Sequence, residues 1–305
     1  MAKLISKQEI DAKFDEIINN ILTLQSVDEI QKWFVGFAGC IKFMKKYSMR
    51  NTMLVLSQKP DAIYTTGFVT WKNFGRFPKK GSGIQIYKPI IKKCKSEDDD
   101  QEETKLFGFS PIYVFDYTDT TGKPIEQYEE IINQRNKLKK EKYGSHGDSK
   151  LLSTLSEKFD QYINNFGFQI EYEELRGAGK ANYIEKKIYI DQSFDKGEDF
   201  GTKLHEFFHL KNHEDSSKSY ANNELEAEMF TALVLGAYGQ TQSIKGCAAY
   251  LYNWSQHIKD QDEKKNTFLE VFECVYKEAV NCIDFLENYD EKVKTEPNHH
   301  IELPF

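Results

Sequence analysis

Apolar positions recur at helical spacing through the first 46 residues. Phe14, Ile17, Ile18 and Ile21 fall on one stripe and Ile30, Trp33, Phe34 and Phe37 on another, which predicts two amphipathic helices. NTMLVLS (51–57) continues the helical pattern until Pro60 stops it. The texture then changes. AIYTTGFVTW and GIQIYKPI are rich in β-branched and aromatic residues and read as short strands, as does PIYVFDY (111–117) ahead of a TTGKP turn. KSEDDDQEET (95–104) reads as a charged loop between strands.

The second half is patterned differently. EQYEEIINQRNKLKKEKYGSHGDSK (126–150) is polar and ends in Gly, Ser and Asp, which marks a domain boundary. A helical run, LLSTLSEKFDQYINNFG, is followed by two β-type runs, FQIEYEEL and NYIEKKIYID, and then by two more helical runs, KLHEFFHLKNHE and NNELEAEMFTALVLGAYG. Helical texture continues to about Tyr289, and no internal repeat is present. The pattern predicts an α+β protein of two domains, residues 1–128 and 151–290, with a linker over 129–150 and a tail over 291–305.

Composition narrows the class. Of 305 residues, 39% are hydrophobic and 29% charged, the mix of a soluble globular protein with a real core. No apolar run is long enough to span a membrane, and the first residues lack the apolar segment of a secretory signal. The five cysteines (Cys40, Cys94, Cys247, Cys274, Cys282) are odd in number and form no CxxC pair, which fits thiols used as apolar filler in a reduced, cytoplasmic compartment.

The net charge of -7 hides an asymmetry. From Ile41 to Lys95 there are 13 Lys and Arg against one acid, Asp61, a local net of +12. A localised polyanion partner accounts for this, and so does a solvated lysine-rich face. Lys72, Arg76, Lys79 and Lys80 are interleaved with Tyr64, Phe68, Trp71, Phe74, Phe77 and Tyr87. Single strands of nucleic acid are held by cationic grooves with aromatic faces on which bases stack, although several of these rings must serve the core.

The most specific chemistry lies in HEFFH (205–209), an HExxH motif. Residues four apart share a helix face, about 6 Å apart along the axis, so His205 and His209 can reach one ion. Glu206 is rotated away from that face by about 100° and suits a general base. His213 lies about 12 Å from His205 on a continuous helix, too far to share an ion unless the helix breaks. A turn at Asn212 would instead bring in Asp215. Downstream, Glu224 and Glu228 share a face of a helix docked by Leu225, Met229 and Leu233, while Glu226 lies on the opposite side. One of that pair can complete a two-His-one-carboxylate site and the other can orient a ligand histidine.

HEFFH followed by YANNELEAE resembles the C-terminal metallopeptidase domain of ArdC-type antirestriction proteins and, more distantly, SprT-like and ImmA/IrrE-type peptidases. YSMRNTMLVLSQKPDAIYTTGFVTWKNFGRFPKKGSGIQIYKP and PIYVFDYTDTTGKPI resemble the N-terminal single-stranded-DNA-binding domain of the same family, with Asp119 and Ser82 departing from its pattern. The resemblance covers about residues 47–125 and 175–240. It implies Zn2+ held by His205, His209 and Glu224, with Glu228 behind a ligand, Glu206 as catalytic base, and Tyr183 or Tyr220 near the oxyanion. It implies contacts from Asn51, Lys72, Trp71, Arg76, Lys79 and Lys80 to single-stranded DNA. It places NYIEKKIYID at the edge of the active-site cleft, and it implies a role on mobile-element DNA with a protein substrate that the sequence does not name. Two rival readings are a single-stranded-DNA-binding protein with a structural or vestigial metal site, and an ImmA-like protease that cuts a repressor.

Overall fold

The computed structural model describes residues 4–24, 26–95, 102–130, 132–133, 149–194, 197, 199–214, 217–240 and 242–292. Most of the expected linker, the centre of the charged insertion, Asp215 and the tail beyond residue 292 lie outside the described residues. The chain divides into two compact units, Met1–Thr23 with Lys46–Asn136, and Leu24–Lys45 with Lys137–Phe305.

In the first unit, α1 (Lys7–Leu22) starts at a capping box between Ser6 and Glu9 and buries Ile10, Phe14, Ile18 and Ile21. The next helix, α2 (Val27–Met44), belongs to the second unit. α3 (Met49–Gln58), capped by Ser48, is tied to the sheet by Asn51. Its side-chain amide donates to the Tyr87 carbonyl at 2.9 Å and accepts from the Tyr87 N–H at 3.1 Å.

β1 (Thr65–Thr66) is followed by α4 (Phe68–Asn73), so the second half of AIYTTGFVTW is a short helix rather than the expected strand. Gly67 begins that turn, which rotates Trp71 into the core and leaves Phe68 and Val69 in solvent. β2 (Arg76–Pro78) follows. β3 (Ile84–Lys95) and β4 (Glu102–Asp116) then form a long antiparallel hairpin, and β5 (Thr120–Gly122) closes the unit by pairing with β2. β1 adds to β4, giving the order β1-β4-β3. A side chain at Gly122 (φ 146) would meet the Gly75 carbonyl at 2.5 Å, so this pairing needs glycine.

The second unit begins with α2 and resumes with α5 (Ser149–Asn165). β6 (Gln169–Glu173), β7 (Gly179–Asn182) and β8 (Lys187–Asp191) form a sheet of order β6-β8-β7, with β6 parallel and β7 antiparallel to β8. The second half of NYIEKKIYID is the central strand of this sheet, with Ile188 and Ile190 fully buried, and β6 and β7 flank it. α6 (Phe200–Asn212), α7 (Tyr220–Ala237), α8 (Gln242–His257) and α9 (Gln261–Lys292) complete the unit.

α6 buries Leu204, Phe207, Phe208 and Leu210, while α7 is buried along most of its length from Leu225 to Gly236. α2 packs on α7 so closely that a Cβ on Gly236 would lie 2.5 Å from that of Ala38. Trp33, Phe34 and Phe37 of α2 all meet Phe272 of α9. This apolar contact is why Leu24–Lys45 joins the C-terminal segment instead of the contiguous 1–128 domain expected from the sequence. Cys40, Cys247 and Cys282 are buried, as apolar filler should be, whereas Cys274 is partly exposed. Among the described residues no helix is long and apolar enough to cross a membrane.

Candidate metal centre and nucleic-acid surface

α6 and α7 bring His205, His209 and Glu224 together, with one ligand atom from each within 4.8 Å of the others. The Nε2 atoms of the two histidines are 3.0 Å apart. Glu224 Oε2 is 3.6 Å from His205 Nε2, and its Oε1 is 3.3 Å from His209 Nε2. Atoms bound to one tetrahedral ion at about 2.0–2.2 Å lie about 3.3–3.6 Å from each other. The two carboxylate contacts fall in that range and the 3.0 Å between the rings is shorter, while two imidazoles and a carboxylate are donor types that a divalent ion such as zinc takes. Asp215, the rival third ligand, lies outside the described residues.

The surrounding charges suit coordination. Burial pushes the His209 pKa down to about 4, reinforced by neighbouring His205, which leaves a neutral ring at neutral pH. Burial also opposes charge on His205, but Glu224, Glu206 and Glu228 outweigh it and raise that pKa. The hydrogen bond with His205 is the chief cause that lowers the pKa of Glu224, aided by Tyr220. Burial raises the pKa of Glu206, although the Ala181 N–H donates to its carboxylate. A carboxylate so poised accepts a proton more readily than an exposed one.

Glu228 stands behind the site with Oε1 3.5 Å from His205 Nδ1. Its pKa is raised by burial. Tyr220 spends its hydroxyl on Glu224. Tyr183 lies close enough to Glu206 and Glu224 for their charges to add to the effect of burial and keep its hydroxyl protonated. Tyr250, which the sequence did not single out, is affected in the same way by Glu224 and Glu228.

β7 lies directly against the HExxH helix. A Cβ at Gly179 would come 2.6 Å from Thr202 Cγ2, 3.0 Å from the Tyr189 carbonyl oxygen and 3.1 Å from Glu206 Cγ. Gly179→Ala is therefore expected to push strand and helix apart, at a cost of about 1–3 kcal/mol in thermal or denaturant unfolding. An unfolding curve superimposable on that of the wild type would contradict this contact.

In the first unit the residues expected on DNA separate into two groups. Lys72, Lys79 and Lys80 are exposed. Asn51, Trp71 and Arg76 all make hydrogen bonds within the protein, and the burial of Trp71 and Arg76 corrects the expectation for those two. Asn51 holds the Tyr87 backbone as described above. Trp71 is fully buried and its indole N–H donates to the Phe115 carbonyl at 2.8 Å, so neither ring face is open to a base. Arg76 is buried and donates to the Thr120 hydroxyl and to the carbonyls of Thr120, Gly122 and Lys123. Tyr87 is buried as well. The rings left in solvent in this unit include Phe68, Phe74, Phe77, Phe107 and Tyr113, each about half exposed.

Comparison with known proteins fits this architecture. The chain resembles the antirestriction protein ArdC of plasmid R388 in its metal-free crystal structure, with a TM-score of 0.53 and 17% identity over 92% of this chain and 98% of that one. The α+β fold is thus that of ArdC. The manganese(II)-bound structure of that protein gives a TM-score of 0.46 and 19% identity over 79% of this chain and 84% of the other. The uncharacterized protein pXO2-81 of Bacillus anthracis is 23% identical over 317 aligned residues, covering 92% of this chain. The chain spans about half the length (52%) of that relative. No family model matches.

Proposed function

We propose that this chain is a single-stranded-DNA-binding, antirestriction-type protein of a mobile element whose second unit is a zinc-dependent metallopeptidase, acting in the cytoplasm. The observation that carries the peptidase reading is the convergence of His205, His209 and Glu224, with a half-buried Glu206, its pKa raised by burial, beside them. The antirestriction reading leans on the fold shared with ArdC, and the DNA reading on exposed cations set among exposed aromatic rings.

His205, His209 and Glu224 would hold the zinc, which when bound would supply Lewis acidity and lower the pKa of a water toward about 7. The protein's own groups do the rest. Glu206 takes the proton of the attacking water and returns it to the departing amine. Glu228 steadies His205 from behind. The Tyr183 hydroxyl, which feels the charges of Glu206 and Glu224, would donate to the oxyanion, a role that Tyr220 gives up by bonding Glu224.

The test is cleavage of an unfolded protein by the zinc-loaded full chain, with and without single-stranded DNA. The proposal expects cleavage that needs the metal and responds to DNA. Cleavage indifferent to DNA favours the repressor-cutting rival, and DNA binding with no cleavage favours the binding protein with a vestigial site.

For the DNA surface, Phe77→Ala is expected to weaken binding of single-stranded DNA by about 1–3 kcal/mol without lowering the melting temperature. Replacing Lys79 and Lys80 together with Ala should flatten the log–log salt dependence of binding by roughly 1.4 units, at about 0.7 per phosphate contact. Equal affinity for duplex and single strand, or an unchanged salt slope, would remove this face from the interface.

A further inference from the structure

A chain of buried polar groups runs behind the metal ligands, and the proposed reaction does not use it. His213, the residue that ends α6, is buried. Its Nδ1 is 2.9 Å from His209 Nδ1, and its Nε2 is 2.9 Å from Glu226 Oε2. Glu226 is 1% exposed, and its other oxygen accepts from Lys218. These residues come from the C-terminal end of α6, the segment after it and the back of α7.

Proton counting gives this chain a direction. An ionised carboxylate only accepts, so the His213 Nε2 must carry a hydrogen to meet Glu226. Two ring nitrogens 2.9 Å apart share one hydrogen. A metal held at His209 Nε2 needs the lone pair there, so the shared hydrogen belongs to His209 Nδ1 and His213 Nδ1 accepts it. His209 Nε2 then carries a lone pair, aimed at the point where His205 and Glu224 converge. In the opposite arrangement His213 Nδ1 donates to His209 Nδ1, and the proton of His209 sits on Nε2, where it would block a metal.

We infer that His213 and Glu226 are positioning residues that fix His209 in the Nδ1–H form, presenting its Nε2 to the metal. The inference rests on the metal centre proposed above. A ligand histidine is commonly oriented by a group bonded to its other nitrogen, and loss of such a group weakens metal binding by about 10–100-fold. Here the orienting group is a second histidine, itself oriented by a carboxylate.

Glu226→Gln tests the direction with almost no change of shape. An amide offers one acceptor and one donor, and Lys218 requires the acceptor. The NH2 group then faces His213 Nε2, which must become an acceptor. The His213 proton moves to Nδ1, and that of His209 moves to Nε2. The experiment is long-range proton–nitrogen NMR of the metal-free, 15N-histidine-labelled full chain, with Zn(II) affinity from competition with a chromophoric chelator.

The wild type is expected to show His209 protonated at Nδ1 and bare at Nε2. Glu226→Gln should reverse this and lower Zn(II) affinity by about 10–100-fold, with a melting curve as the check on folding. A wild-type His209 protonated at Nε2 overturns the inference, as does a folded Glu226→Gln that binds Zn(II) like the wild type. A wild type that binds no Zn(II) refutes the metal centre instead, and the metal-free spectrum still decides the tautomer.

Discussion

Replacing Glu206 with Gln is expected to lower the rate of peptide cleavage by about 10²–10⁴-fold while leaving zinc content and melting temperature unchanged. The side chain follows His205 on α6 and points away from the ligand face, so coordination does not depend on it. Its burial raises the pKa, and a neutral amide relieves that cost. An amide cannot accept the proton that a carboxylate accepts, so the loss should fall on the chemical step. Zinc analysis and a melting curve of the same preparation separate these effects. Unchanged cleavage would remove Glu206 from the mechanism, and lost zinc would make it a ligand.

Lys203→Met should destabilise the second unit by about 3–5 kcal/mol at neutral pH, although the residue touches neither metal ligand nor base. Lys203 is 2% exposed, two positions before His205. Its ammonium reaches Asp160 at 2.7 Å, Asp199 at 2.9 Å and the Ser156 hydroxyl at 2.9 Å. Tyr172 and Ser156 also donate to Asp199, so one cation joins α5, β6 and the start of the HExxH helix. Burial opposes the charge on Asp199, but these donors outweigh it and hold its pKa below the usual value.

Removing the cation leaves two carboxylates with no counter-charge. Their folded pKa values should then exceed the unfolded ones, so the penalty is full at neutral pH and fades as pH falls through the folded values. Denaturant unfolding at pH 7 and pH 4.5 should show the gap between wild type and variant narrowing at the lower pH. A constant gap would mean that lost packing, and not charge, is responsible.

The candidate metal cluster was legible because its spacing is dictated by the helix. His205 and His209 share a face at i, i+4, and so do Glu224 and Glu228, and the structure brings Glu224 to the two histidines. Glu226 was legible only in part. Its opposite side of α7 is correct, but that side is not solvent. The helix is buried from Leu225 onward, and a carboxylate between Leu225 and Ala227 requires partners, which are His213 and Lys218.

The proposed DNA surface was harder to read because alternation of basic and aromatic residues does not separate core from surface. FVTW suggests a strand by composition, and only the short helix at Gly67 reveals that Trp71 faces inward while Phe68 does not. Arg76 looks like a phosphate partner until the carbonyls of residues 120–123 converge on it. The place of α2 left no signal at all, since an amphipathic stripe says which face is buried but not against what.

X-ray absorption at the zinc edge of the loaded full chain tests the central claim most directly. The account predicts one zinc per chain with two imidazoles and carboxylate or water oxygen, all at about 2.0–2.2 Å. Glu224→Ala should lose that signal and Glu228→Ala should keep it. Three imidazoles in the zinc shell, which would recruit His213, or a full zinc complement in Glu224→Ala would contradict it.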